Sequence, residues 1–206
     1  MRDNVYIMSP KYQSFVWLPP KTGSSTLSWI LAYFEFGWYE FDEIKKDYVL
    51  RANDLVHFGH SYNIPHNSKE LNFICSVRNP YDRMVSYFLM NNQSTTDELQ
   101  RKDFENFLDN FFIREKESVM YESSKIFEKI QPNFIIRLEH LYEDLLKVPF
   151  IKNSKLNKCG ILEELCHRKI KKSFFMDDRD KFLTEQSKEK IYNLFETDFD
   201  LFGYPK

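Results

Sequence analysis

The sequence predicts an α/β protein, a single domain over 1–206 built on a central parallel sheet with helices covering both faces. Three observations lead there. The 206 residues suit one domain with a substantial core. Short apolar runs rich in aromatic and β-branched residues alternate with segments of helical periodicity, the order that makes parallel strands joined by crossover helices. Two of those runs also stop at polar residues immediately before a helix start, and it is at such strand ends that parallel sheets bind ligands.

The elements follow in order. Residues 14–18, Ser-Phe-Val-Trp-Leu, form an apolar run that ends at Pro19-Pro20 and reads as a buried strand. After the loop 19–23, residues 24–34 open with hydroxyl side chains suited to a helix start and place Leu27, Ile30, Leu31 and Phe34 on one helical face. Residues 54–59 read as a short strand and 71–77 as a longer one. Pro80 suits the first helical turn, and Met84, Val85, Phe88 and Leu89 fall at helical spacing in 81–90. Helices are expected over 104–113 and 119–130, a strand over 133–138 and a helix over 139–146. From 149 to 180 no period is clear; Thr184 then caps a last helix over 185–195, followed by Asp198-Phe-Asp-Leu-Phe-Gly-Tyr204.

Composition narrows the function. Lys and Arg number 29 against 31 Asp and Glu, a formal charge of −2, so no global basic field draws in nucleic acid, and an anion has to be gripped locally. The 17% aromatic content argues for a packed core over disorder. No apolar stretch approaches the roughly 18 residues of a membrane span. The N-terminal residues lack the apolar core of a secretory signal, so a cytoplasmic location is expected. Cys75, Cys159 and Cys166 show no disulfide rhythm. Cys159, Cys166 and His167 lack a fourth partner at zinc-finger spacing and read as an ordinary helix face, so no metal is expected.

Glycine is rare, 5 in all, which makes Pro19-Pro20-Lys21-Thr22-Gly23-Ser24-Ser25-Thr26 stand out. It joins a glycine, a lysine and a hydroxyl cluster at a helix N-terminus. Free N–H groups and the helix dipole favour a phosphate there, Gly23 permits close approach of the backbone, and Lys21 adds a point charge. Capping alone accounts for Ser24 and Ser25 but gives no reason for Lys-Thr-Gly before them. The order also differs from the Walker loop, where lysine follows the second glycine, so ATP is not the ligand indicated. A second constellation, Arg78-Asn-Pro-Tyr-Asp-Arg-Met-Val-Ser86, starts at a strand end. There the guanidinium of Arg78 and the hydroxyl of Ser86 could share one phosphate; pairing of Arg78 with a carboxylate and simple packing of Ser86 fit these residues equally well.

Taken together the two segments resemble the sulfotransferase superfamily, whose donor is 3′-phosphoadenosine-5′-phosphosulfate (PAPS). In that family a P-K-[ST]-G-[ST]-[ST] loop holds the 5′-phosphosulfate and an R-x-P-x-x-R-x-x-S segment the 3′-phosphate. The resemblance implies a P-loop-like three-layer fold. It assigns Lys21, Thr22, Gly23, Ser24, Ser25 and Thr26 to the phosphosulfate and Arg78 with Ser86 to the 3′-phosphate. Phe134-Ile-Ile-Arg-Leu-Glu-His-Leu-Tyr-Glu-Asp-Leu145 and the ending 198–204 are similar to the family's pattern, and 149–181 is the stretch least covered. The Arg78 segment looks more like the carbohydrate sulfotransferases than the cytosolic ones acting on phenols and steroids. Those commonly carry a tryptophan at or beside the position of Leu27. A carbohydrate hydroxyl is therefore the acceptor implied, with adenosine 3′,5′-bisphosphate as product and no metal required.

The acceptor needs a base, and Leu55-Val-His57-Phe-Gly-His60 offers two histidines, a side chain that accepts a proton near neutral pH. The segment resembles the Gly-His of the heparan and uronyl 2-O-sulfotransferases, whose histidine is the base. That implies His60, with His57 the rival. His66, His140 and His167 read as structural. Arg168 to Lys172 lie where related enzymes bring a basic loop over the nucleotide. Arg83 fits either the phosphate site or a brace within the helix. A nucleotide kinase or NTPase is the rival enzyme class, and a nucleotide-binding module without turnover the rival outside enzymes; no apolar strand ends in the single Asp a kinase uses for magnesium.

Overall fold

The parallel strands fall where the apolar runs place them. The computed structural model describes residues 5–42, 44–50, 64–65, 67–91, 101–115, 124–167 and 176–206. Its strands are β1 (Val5–Ser9), β2 (Ser14–Trp17), β3 (Gly37–Asp42), β4 (Asp47–Leu50), β5 (Asn72–Val77) and β6 (Phe134–Arg137). The helices are α1 (Ser24–Ala32), α2 (Pro80–Asn91), α3 (Arg101–Glu115), α4 (Ser124–Phe127), α5 (Leu141–Leu145), α6 (Pro149–Lys152), α7 (Lys155–Lys158), α8 (Ile161–His167) and α9 (Glu185–Phe202). The chain divides into two compact units, Met1–Val77 with Ile130–Lys171, and Arg78–Lys129 with Lys172–Lys206.

The first unit carries the sheet, in the order β4-β3-β1-β2-β5-β6. Strands β2, β5 and β6 are parallel, and the architecture is α/β with a central sheet flanked by helices, in keeping with a P-loop-like fold. The strand β2 is buried along its whole length, which is why it reads as an unbroken apolar run rather than an alternating one. Its Val16, with Ile74 of β5 and Ile136 of β6, packs against Leu27, Ile30 and Leu31 of α1, Leu141 and Leu145 of α5, and Leu162 and Leu165 of α8. Each such aliphatic side chain contributes about 1.5–3 kcal/mol on full burial. On the other face Phe15 stacks on Phe73 at 4.7 Å, directly across the β2–β5 register, and Trp17 and Cys75 are buried beside them.

Beyond this parallel part the sheet continues through strands the sequence did not announce. Strand β1 pairs antiparallel with both β2 and β3, and β3 with β4. Only the short 3₁₀ turn Pro10–Tyr12 separates β1 from β2, too little for a crossover, so the two can only fold back on each other. The region 149–167, without clear period in the sequence, is three short helices, of which α7 is capped by the Ser154 hydroxyl accepting from Asn157 N–H.

The second unit is helical. Met84, Val85, Phe88 and Leu89 of α2 join Phe104, Leu108 and Phe111 of α3, Phe182, and Ile191, Phe195 and Phe199 of α9 in one cluster. Its aromatic centre is Phe88, with ring centroids 5.2 Å from Phe104 and 5.5 Å from Phe182. Thr184 caps α9 as expected, accepting from Ser187 N–H at 3.1 Å. The helix then runs past 195 through a kink at Phe195 (φ −119°, ψ 22°) to Phe202. Of the helix expected over 119–130, Ser124–Phe127 is helical among the described residues. The strand expected over 54–59 lies outside them.

Candidate functional site

In the first unit β2 passes into α1 through a turn with an unusual occupant. Thr22 N–H closes it on the Pro19 carbonyl at 3.4 Å, leaving Pro20 and Lys21 as the central residues. Lys21 has φ +65°, the left-handed value that the second central residue of a type II turn needs and that glycine normally supplies. For a residue with a Cβ this costs about 1–2 kcal/mol, strain of a kind that collects at functional sites.

Gly23 follows at φ +82°, at the N-cap of α1, and a Cβ there would meet Leu138 Cδ1 at 2.4 Å. Left-handed residues thus stand on both sides of Thr22, whose own N–H is taken by the Pro19 carbonyl. The helix begins when Leu27 N–H reaches the Gly23 carbonyl at 3.0 Å, so the N–H groups of Ser24, Ser25 and Thr26 lie ahead of any carbonyl in their own helix. No side chain caps α1. Lys21, Ser24, Ser25 and Thr26 are half-buried. The residues therefore fit a phosphate or sulfate group, held by backbone N–H groups at the positive end of a helix dipole.

Thr22 departs from the rest of its segment. Its side chain is 2% exposed. The hydroxyl lies 2.7 Å from the Pro19 carbonyl and 2.6 Å from the hydroxyl of Ser76 in β5, itself 1% exposed. Sequence reasoning missed Ser76; the one local signal is a small polar residue near the end of an otherwise apolar strand.

Strand β6 ends on Arg137, whose guanidinium is committed elsewhere. Its Nε and Nη2 donate to the two carboxylate oxygens of Asp144, each at 2.9 Å, and Lys147 Nζ donates at 2.6 Å. Burial pushes the Asp144 carboxyl up, but the hydrogen bonds from Arg137 and Lys147 outweigh it and hold the group at about 2.

In the second unit Arg78 is half-buried between the last residue of β5 and the start of α2. Here the helix is capped by a side chain: Asn79 Oδ1 accepts from Tyr81 N–H at 2.9 Å, with Pro80 at the first helical position. Ser86 lies in the second turn of α2 and is buried. Arg83, which the sequence left between two roles, is 3% exposed with Nη1 3.9 Å from Asp198 Oδ2 of α9, a brace between helices. Asp82 of the same first turn pairs with Arg179.

His57, His60, His66 and the basic run Arg168 to Lys172 lie outside the described residues. His140 and His167 are exposed. Burial, with Glu143 and Glu163 nearby, raises the Cys166 thiol to about 12, which keeps it protonated and unreactive. Among the described residues no group of three potential ligands is placed to hold a metal ion, and no helix is long and apolar enough to cross a membrane.

No curated protein and no solved structure matches the chain. The model of the sulfotransferase family matches residues 4–205. A match that begins at the first strand and runs beyond the end of α9, over a strand-to-helix loop shaped for an anion, shows that the chain belongs to the sulfotransferase family and that its chemistry is sulfuryl transfer.

Proposed function

We propose that the donor is PAPS and that the acceptor is a carbohydrate hydroxyl. The observation that carries the donor reading is the backbone at 21–23: two left-handed residues before an uncapped helix start. Strained backbone is hard to explain by stability alone, and an uncapped helix start leaves N–H groups suited to an anion such as a phosphosulfate. In this reading Gly23, Ser24, Ser25 and Thr26 hold the 5′-phosphosulfate, Thr22 shapes their backbone, and Lys21 lies against the bridging oxygen. Arg78 and Ser86 take the 3′-phosphate, and that preference separates this donor from ATP.

In the transfer the acceptor oxygen forms its bond to sulfur in line as the bond from sulfur to the 5′-phosphate oxygen breaks. His60 receives the acceptor's proton, and Lys21 stabilises the charge that grows on the departing oxygen. Positioning and charge stabilisation suffice, and no covalent enzyme intermediate is needed. The carbohydrate acceptor and the histidine base rest on the likeness of the Arg78 and Gly59-His60 segments to carbohydrate sulfotransferases.

Calorimetry with adenosine 3′,5′-bisphosphate, AMP and ATP tests the donor. A marked preference for the bisphosphate is expected; equal affinity for ATP overturns the reading. Sulfate transfer from labelled PAPS to a panel of sugars and phenols then tests the acceptor.

A further inference from the structure

We infer that Ser76 is a positioning residue for sulfuryl transfer: its hydroxyl, acting through Thr22, holds the anion loop in the conformation that presents Lys21. The inference rests on the donor reading above.

The direction of the hydrogen bonds follows from their chemistry. The Pro19 carbonyl can only accept, so the single hydroxyl proton of Thr22 goes to it, at 2.7 Å. The 2.6 Å contact between Thr22 and Ser76 is then a donation from Ser76 to Thr22. The chain Ser76 to Thr22 to Pro19 fastens both ends of the loop's turn to strand β5. Its outer link joins Thr22 and Ser76 across 54 positions of sequence and is sealed from water, with Thr22 2% and Ser76 1% exposed.

A serine is a poor choice for this position unless the bond is wanted. Strand β5 is buried from Phe73 to Val77, and a hydroxyl there costs stability unless it finds a partner. What the partner secures is specific. Thr22 N–H and Thr22 Oγ1 both bind the Pro19 carbonyl, closing the turn in which Lys21 is held at φ +65°. A lysine relaxes out of that conformation when it can. With Ser76 removed the turn keeps both Thr22 bonds to the Pro19 carbonyl but loses its tie to the sheet, and the amine of Lys21 drifts from the oxygen it serves. The burden falls on the transition state more than on donor binding, because the backbone N–H groups of α1 that grip the anion stay in place.

A double-mutant cycle with Ser76→Ala and Thr22→Val tests this, reading kcat and the donor KM with PAPS, together with the urea midpoint of each variant. Ser76→Ala is expected to lower kcat about tenfold, with a smaller change in donor KM. In the Thr22→Val background it is expected to lower kcat no further. A role confined to stability moves the urea midpoint and leaves the kcat of the folded enzyme unchanged, and that result overturns the inference, as do effects on kcat that multiply in the double variant. A parental protein that turns over with PAPS while Ser76→Ala matches its rate defeats this inference alone. A parental protein without PAPS-dependent turnover defeats the donor reading and this one together.

Discussion

Strands β2 and β5 lie side by side and parallel, and each hands its chain to a helix, yet the two junctions are built in opposite ways. At the start of α1 no side chain caps the helix and the backbone itself is contorted, with left-handed residues at 21 and 23. At the start of α2 Asn79 and Pro80 satisfy the helix in the ordinary manner. The first junction leaves its N–H groups for a ligand and accepts strain to do so. The second satisfies its first turn with a side chain, and in the proposed reading it meets the donor through Arg78 and Ser86. In the donor reading proposed above, the two junctions hold their charged groups in different ways, the first through backbone N–H groups and the second through side chains.

The sharpest way to break this comparison is to remove the cation at each junction. Lys21→Ala is expected to lower kcat by about 10²- to 10³-fold, the usual loss for a group that meets charge developing in the transition state. Lys21→Gly should lose as much activity while its urea stability stays level or rises by up to about 1 kcal/mol. Relief of the left-handed strain is there partly offset by the freedom glycine gains when unfolded. A Lys21→Gly variant clearly less stable than Lys21→Ala removes strain from the account. Arg78→Ala should act differently, raising the donor KM by roughly 10- to 100-fold through loss of a charged hydrogen bond while kcat changes less. Steady-state kinetics with PAPS decide this; a purely kcat defect in Arg78→Ala erases the distinction between the junctions.

How far these features could be read from the sequence depends on how local their causes are. Lys21, Gly23 and Ser24 were legible because a glycine and hydroxyls after a strand signal a helix start within a few residues. The partners that fix them were not. Ser76 touches Thr22, and Leu138 crowds Gly23, only after the sheet has formed. Arg83 could not be assigned until α9 supplied Asp198. Among the elements, β2 and β5 showed as apolar runs because they are parallel strands buried on both faces. Strand β4, Asp-Tyr-Val-Leu, sits at the sheet edge and carries no such run, and helices of four residues, α6 and α7, are too short to display a period. The kink at Phe195 breaks the helical repeat, which is why α9 looked finished there.

The third parallel strand also ends on an arginine, and there the partner is identified. Arg137 ends β6, but its guanidinium is held by the fully buried Asp144. Because that carboxyl stands at about 2, below its ordinary 3.8, the native state favours the charged form. The stabilisation, about 2 kcal/mol, is complete above pH 4 and is lost as pH falls through 2. Asp144→Asn should therefore be less stable by about that amount at pH 7 and should lose less stability than the parent between pH 4 and pH 2. Urea curves across that range test it, and parallel losses in the two proteins refute it.

The smallest effect belongs to the cap at α2. Asn79→Ala removes the acceptor for Tyr81 N–H and should cost about 1 kcal/mol of stability. If the second junction holds its ligand through side chains, Arg78 ahead of the helix and Ser86 in its second turn keep their places when the first turn frays, and donor KM should change far less than in Arg78→Ala. A loss of donor affinity as large as that of Arg78→Ala means instead that the backbone at 79–81 binds the donor too. The two junctions would then differ in degree and not in kind.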